Sequence, residues 1–172
     1  MNGIDYIAHI LKLEGVEWMS CFPSNPLITA AAKVGIRPIA FRHERGAVMA
    51  ADGYSRISDR QRFGVVAVQS QAGAENAMGG LAQAYADNIP VLAFMGGNTL
   101  DRISVKPNFS AARNYQGWVK HVEAIYTPTQ VADVMRRAFH ALRNGPPGPV
   151  VVEWTAEGGS QEVPEAARTD TS

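Results

Sequence analysis

The sequence predicts an α/β fold: a three-layer sandwich around a central, mostly parallel sheet of about six strands. Three observations carry this expectation. Short β-branched runs alternate with longer helical patterns along the chain. Two of the runs, FGVVAVQS and GPVVVEW, are continuously apolar, the pattern of strands covered on both faces. The strand-then-helix repeat makes crossovers that lay helices over both sides of a parallel sheet.

Each element has a local reason. Near the N-terminus, Ile4, Ile7, Ala8, Leu11 and Leu13 share one helical face, and Gly15 can stop that helix. VEWMSCF is a strand. NPLITAAAKVG is a helix with Asn25 as N-cap and Pro26 at its first position. RPIAF is the next strand, and an alanine-rich helix opens at Glu44. FGVVAVQS, IPVLAFMGG, HVEAIY and GPVVVEW are the remaining strands. GAENAMGGLAQAYAD and TPTQVADVMRRAFHALRNG are the helices between them, the second capped by Thr127 or Thr129 and ended by Gly145. TLDRISVKPNFSAARNYQG has weak periodicity and reads as a long, partly ordered loop, a feature often functional in compact domains. The stretch from 157 to 172 is polar and is expected to be a flexible tail on a domain spanning 1–156.

Composition narrows the function. A chain of 172 residues suits one domain. Sixteen basic and sixteen acidic residues balance, so no electrostatic case exists for nucleic acid or a charged membrane. The single cysteine, Cys21, excludes an internal disulfide framework and fits a reducing, cytoplasmic setting. The first residues lack the basic start and apolar core of a signal peptide, and no apolar run is long enough to cross a membrane. No P-loop, GxGxxG or GxSxG is present, the four histidines are scattered, and no metal set is expected on this chain.

Open parallel sheets place ligands at the carboxyl ends of their strands. Phe22 to Asn25, Arg42 to Arg45, Gln69 to Gly73 and Gly96 to Asn98 fall there. Glu44 invites two readings. As a plain helix-start acid it gains about 0.3–1 kcal/mol from the helix dipole and pairs with Arg42 or Arg45. The helix behind it is unusually small-sided, with Gly46, Ala47, Ala50, Ala51 and Gly53. Such a helix packs closely, and a carboxyl shielded on its first turn is a candidate proton carrier. Met49, Met78 and Met95 read as core packing.

The segments RHERGAVMAADGYSR, VVAVQSQAGAENAMGGLAQAYADNIPVLAFMGG and NGPPGPVVVEW, at these spacings, resemble the pyrimidine-binding domain of thiamin diphosphate enzymes. The group is the acetolactate synthase, pyruvate oxidase and 2-oxo-acid decarboxylase family. The resemblance implies the thiamin diphosphate-binding fold and covers nearly all of the chain before the tail. It implies that Glu44 hydrogen-bonds the N1′ nitrogen of the cofactor's aminopyrimidine and shares a proton with it. It also implies that Pro23, Ser24 and Asn25 border the cofactor, with Gly73 and Asn76. For Asn76 a capping or interface role stands beside the cofactor role, and Gly73 is expected to serve backbone shape. Ser110 falls where relatives carry a glutamine that reaches the substrate, and Gln71, in the segment that matches a serine-glycine-proline-glycine loop, is a second substrate-side candidate.

Departures from the family pattern bear on function. Gln71 and Ala72 stand where a glycine and a proline are usual, Ser110 stands where a glutamine is usual, and the double histidine of pyruvate decarboxylases is missing. Nothing in the chain matches the family's diphosphate domain with its magnesium motif. The resemblance therefore implies a separate partner subunit that holds the diphosphate and Mg2+, in an α₂β₂ assembly like the split sulfopyruvate decarboxylases. An excised piece of a longer chain is the plain alternative. Decarboxylation of a 2-oxo acid is the first expectation. Carboligation of the acetolactate synthase kind, or a non-catalytic binding module on the same fold, are the alternatives.

Overall fold

Six strands form one sheet, and they fall where the apolar runs place them. They are β1 (Trp18–Cys21), β2 (Arg37–Ala40), β3 (Gly64–Val68), β4 (Val91–Gly96), β5 (His121–Ile125) and β6 (Val150–Trp154). In the computed structural model, which describes residues 1–169, their spatial order is β2-β1-β3-β4-β6-β5 and every neighbouring pair is parallel. The helices are α1 (Gly3–Leu13), α2 (Pro26–Lys33), α3 (Glu44–Ile57), α4 (Ala72–Ala86), α5 (Ala111–Asn114), α6 (Val131–Arg143) and α7 (Ala156–Ser160). Periodicity announces all of these but the short α5 and α7.

The period of two decides which face each strand residue serves. Val65, Ala67, Leu92, Phe94, Val150 and Val152 join one core with apolar residues of α1, α2 and α6. Val66, Val68, Val91, Ala93, Met95 and Val151 join the other with those of α3 and α4. Both faces are dry, which is why β3 and β6 read as unbroken valine runs. Met95 is buried and Met78 is packed against its core, but Met49 stands half-exposed on α3, outside the core role expected of it. Among the described residues no helix is long and apolar enough to cross a membrane.

Small residues let α3 sit unusually close to its neighbours. A Cβ on Gly80 of α4 would lie 2.9 Å from Val48 Cγ1, and one on Gly64 of β3 would lie 2.1 Å from the Ala51 carbonyl oxygen. Two buried hydroxyls add fixed points: Ser20 Oγ donates to Ala47 O at 2.7 Å and Ser55 Oγ to Pro90 O at 2.6 Å. The start of α3 is thereby held rigidly against β1, at the carboxyl end of the sheet.

The stretch read from composition as a flexible tail is packed against the body as far as it is described. Gly158, Gly159 and Val163 are buried, and Val163 N donates to Met1 O. Asn2 and Glu162 form an antiparallel bridge, and Tyr6 Oη donates to Thr169 O at 2.9 Å. The approach needs glycine at position 3: a Cβ there would lie 2.0 Å from Gly158 O. Residues 170–172 of the expected tail lie outside the described residues.

Candidate active site

The chain runs from β1 outward to β2 and then crosses back to β3 on the other side of β1. That reversal opens a crevice at the strand carboxyl ends, where such sheets take ligands. The β1–α2 turn, the start of α3 and the β3–α4 turn converge there.

Glu44 opens α3, with His43 as N-cap. It is 4% exposed, although it belongs to the first turn of a helix. Its Oε2 accepts a hydrogen bond from Asn76 Nδ2 at 3.2 Å. Its Oε1 has no hydrogen-bond donor among the described residues. Neither Arg42 nor Arg45 is within ion-pair distance, so the pairing that a surface acid would make is not formed. His43 Nδ1 lies 4.0 Å from Oε2, but that nitrogen accepts from Arg45 N at 3.2 Å and so carries no proton toward the carboxyl. A buried carboxyl oxygen without a donor is costly unless something supplies one.

Gly73 makes the room for that oxygen. A Cβ there would lie 2.7 Å from Gln69 Cβ and 3.3 Å from Glu44 Oε1. Its service is space rather than backbone shape, since the positive φ in this turn falls on Gln71, at 57°. Asn76 sits within α4 rather than at its cap, and its amide reaches across to α3. Pro23 and Ser24 are exposed on the turn after β1.

Three other expected residues have their polar atoms committed within the fold. Asn25 is buried. Its Oδ1 caps α2 through Leu27 N at 2.9 Å, and its Nδ2 donates to Val68 O at 2.7 Å. It ties the ends of β1 and β3 together beneath the crevice. Gln71 accepts from Phe109 N and donates to Asn108 Oδ1, both at 3.0 Å. Asn98 Nδ2 meets the same Asn108 oxygen at 2.8 Å. Ser110 is buried and donates to Glu153 Oε2 at 2.8 Å. The loop that lacks periodicity is thus held by polar clasps.

Glu153 is a residue that the sequence reading passed over. It lies on β6, 8% exposed, and also accepts from Ala111 N at 2.8 Å and Ala112 N at 3.0 Å. A lone acid inside a strand buried on both faces was the available signal, because such a charge demands donors. Beside the crevice, Ser24, Asn25, Gln69, Ser70, Gly96 and Trp154 line a cleft of about 540 Å³. Among the described residues no three His, Cys, Asp or Glu side chains gather as a metal set.

Sheet order, crevice and buried acid are those of a ligand-binding α/β domain with a shielded carboxyl at its crevice. The donor-less Oε1, with room kept for it by Gly73, suits a ring nitrogen that carries a proton. Residues 1–124 match the profile of the family described as thiamine pyrophosphate enzyme, N-terminal TPP binding domain, and the chain belongs to that family. It is 32% identical over 164 residues to acetolactate synthase isozyme 2 large subunit of Escherichia coli (strain K12), covering 89% of this chain and 28% of that one. It is 32% identical over 172 residues to acetolactate synthase large subunit of Lactococcus lactis subsp. lactis, covering 95% and 29%. A probable acetolactate synthase large subunit of Methanocaldococcus jannaschii is 32% identical over 158 residues, covering 89% and 26%. The chain therefore spans less than a third of the length of these relatives.

Proposed function

We propose that this chain is the pyrimidine-binding part of a thiamin diphosphate enzyme that forms or breaks a carbon–carbon bond next to a carbonyl, with Glu44 as its proton-holding residue. When bound, thiamin diphosphate supplies a nucleophilic ring carbon for carbonyl chemistry. Glu44 Oε1 takes the hydrogen bond of the aminopyrimidine N1′ and holds or yields the proton there. Asn76 fixes the carboxyl by its other oxygen, Gly73 leaves space for the pair, and burial keeps water from competing. Pro23 and Ser24, exposed at the crevice mouth, border the cofactor. Asn25 and Gln71 act one step back, by holding the two turns in place. The observation that carries this reading is the buried, donor-less oxygen of Glu44 at the strand carboxyl edge.

The diphosphate and Mg2+ belong, on this proposal, to a second domain or a separate subunit. Support comes from the share of the relatives that this chain spans. Carboligation of the acetolactate synthase kind is favoured over simple 2-oxo-acid decarboxylation, because the relatives reported above are named for it. The test is Glu44→Gln in the complex with the diphosphate-holding partner. Assembly by size exclusion should be unchanged while turnover falls about 10²–10⁴-fold. Unchanged turnover would falsify the role of Glu44 and leave a binding module. Calorimetry gives an independent readout: the chain alone should bind thiamin diphosphate poorly, and tight magnesium-dependent binding should appear with the partner.

A further inference from the structure

The sheet has a second cleft at its opposite edge, where the strands begin. It has a volume of about 480 Å³, within the usual range for small-molecule sites, and its walls come from the approaches to β1, β3, β4 and β6. Trp18, Tyr54, Phe63 and Leu142 supply apolar wall among the charged side chains Glu14, Glu17, Arg60, Arg62 and Arg143. Tyr54 is held edge-on to Trp18, with ring centroids 5.1 Å apart at 90°.

Its charged groups are not equivalent. Arg143 is spent: it pairs with Glu14, and its guanidinium lies over the Phe63 and Phe139 rings at 5.9 and 5.3 Å. Arg60 is turned to the backbone, onto Asn88 O at 3.2 Å and Asp87 O at 3.4 Å, with Asp59 at 3.9 Å. Arg62 differs. Its side chain reaches only the Tyr54 hydroxyl, at 3.4 Å, and no carboxylate among the described residues comes within ion-pair distance of it. Glu17, on the same rim, attracts it from farther away. Apart from that attraction the cleft presents an uncompensated, planar donor beside fixed aromatic walls.

We propose that this cleft binds a small organic anion: an oxyanion group on Arg62, carried by a flat apolar body seated against Trp18, Tyr54 and Phe63. Arginine is suited to this because its fork matches both carboxylate and phosphate oxygens. Glu17, on the same rim, repels any anion, so one without an apolar body to seat gains too little to bind. The site is at the far edge of the sheet from Glu44 and needs neither the cofactor nor a partner subunit.

The test uses the full chain with four probes: phenyl phosphate, phenylacetate, inorganic phosphate and benzyl alcohol. Binding is followed by two-dimensional amide NMR. The two aromatic anions should saturate, with shifts centred on residues 16–18 and 62–64, and the tighter of them identifies phosphate or carboxylate as the natural group. Inorganic phosphate and benzyl alcohol should each bind at least ten-fold more weakly. Arg62→Ala should lose at least ten-fold in affinity, Arg62→Lys should keep part of it, and Arg102→Ala, exposed on the loop after β4 at the other end of the sheet, should change nothing. The proposal is overturned if neither aromatic anion saturates, if Arg62→Ala binds as well as the native chain, or if the shifts centre on Glu44 instead. Unchanged thermal unfolding of Arg62→Ala and Arg62→Lys keeps a loss of binding from being a loss of fold.

Discussion

Replacing Glu153 with glutamine preserves size and shape and asks what the buried charge is for. Its Oε1 accepts from Ala111 N, and its Oε2 accepts from both Ser110 Oγ and Ala112 N. Glutamine offers one acceptor oxygen, and its NH₂ must face one of those two sides. The Ser110 hydroxyl can rotate to accept from it, but a backbone N–H cannot. Either orientation therefore leaves at least one backbone donor buried without an acceptor. An orphaned donor costs about 1–3 kcal/mol, and the bonds that survive lose their charge assistance. The sum is about 2–4 kcal/mol, a large share of the roughly 5–15 kcal/mol that stabilises a domain. At about 2–4 °C per kcal/mol for this chain length, Tm should fall by roughly 4–16 °C. The assay is thermal unfolding of the chain by circular dichroism, with hydrogen exchange at the Ala111 and Ala112 amides as the local readout. Ser110→Ala combined with Glu153→Gln should cost less than the two changes separately, because they share one bond. A Tm within about 1 °C of native would refute the account, and would return Ser110 to the substrate side of the loop.

Two further outcomes follow from the packing. Gly64→Ala should destabilise by about 1–3 kcal/mol or more, because its Cβ would lie 2.1 Å from the Ala51 carbonyl oxygen and backbone cannot yield cheaply. The same change at Gly53, which has nothing within 4 Å on its helix, should stabilise by about 0.5–1 kcal/mol; urea unfolding of both checks the opposite signs. Burial pushes the Glu123 carboxyl up, but hydrogen bonds from Arg137, at 2.8 Å twice, and from His121 at 2.8 Å outweigh it and hold it below the usual carboxylate range. A depressed folded value means that its stabilisation is full above the ordinary carboxylate pKa, about 4.3, and drains as pH falls through the lower value. Glu123→Gln should therefore lower stability at neutral pH and flatten its decline in that acid window, a comparison made by unfolding at stepped pH. An acid decline as steep as that of the native chain would show that Glu123 contributes none of it.

The alternation of strands and helices is a local property, and it was legible. Valine runs such as GVVAV and VVVEW announce strands with two dry faces whatever lies around them, because the period of two belongs to the backbone. The position of Glu44, at a strand's carboxyl end and on the first turn of a small-sided helix, was legible for the same reason. What each polar group touches was not. Ser110 and Glu153 are 43 residues apart, and Asn25 and Val68 are also 43 apart, so no periodicity links them. Only the folded sheet brings such pairs together, and a buried polar atom must then take whichever partner the packing supplies.

The sequence by itself determined the architecture, the edge of the sheet where chemistry would sit and the acid placed there. The tertiary structure alone decided that one oxygen of Glu44 finds no donor among the described residues. It alone decided that polar atoms of Asn25, Gln71 and Ser110 bond within the fold, that residues near 160 pack where composition implied a loose tail, and that Arg62 stands over a second cleft. The physical reason is one of range. Hydrophobic periodicity is written in neighbouring residues, whereas hydrogen-bond commitment and empty space are settled between residues that meet only after the chain has folded.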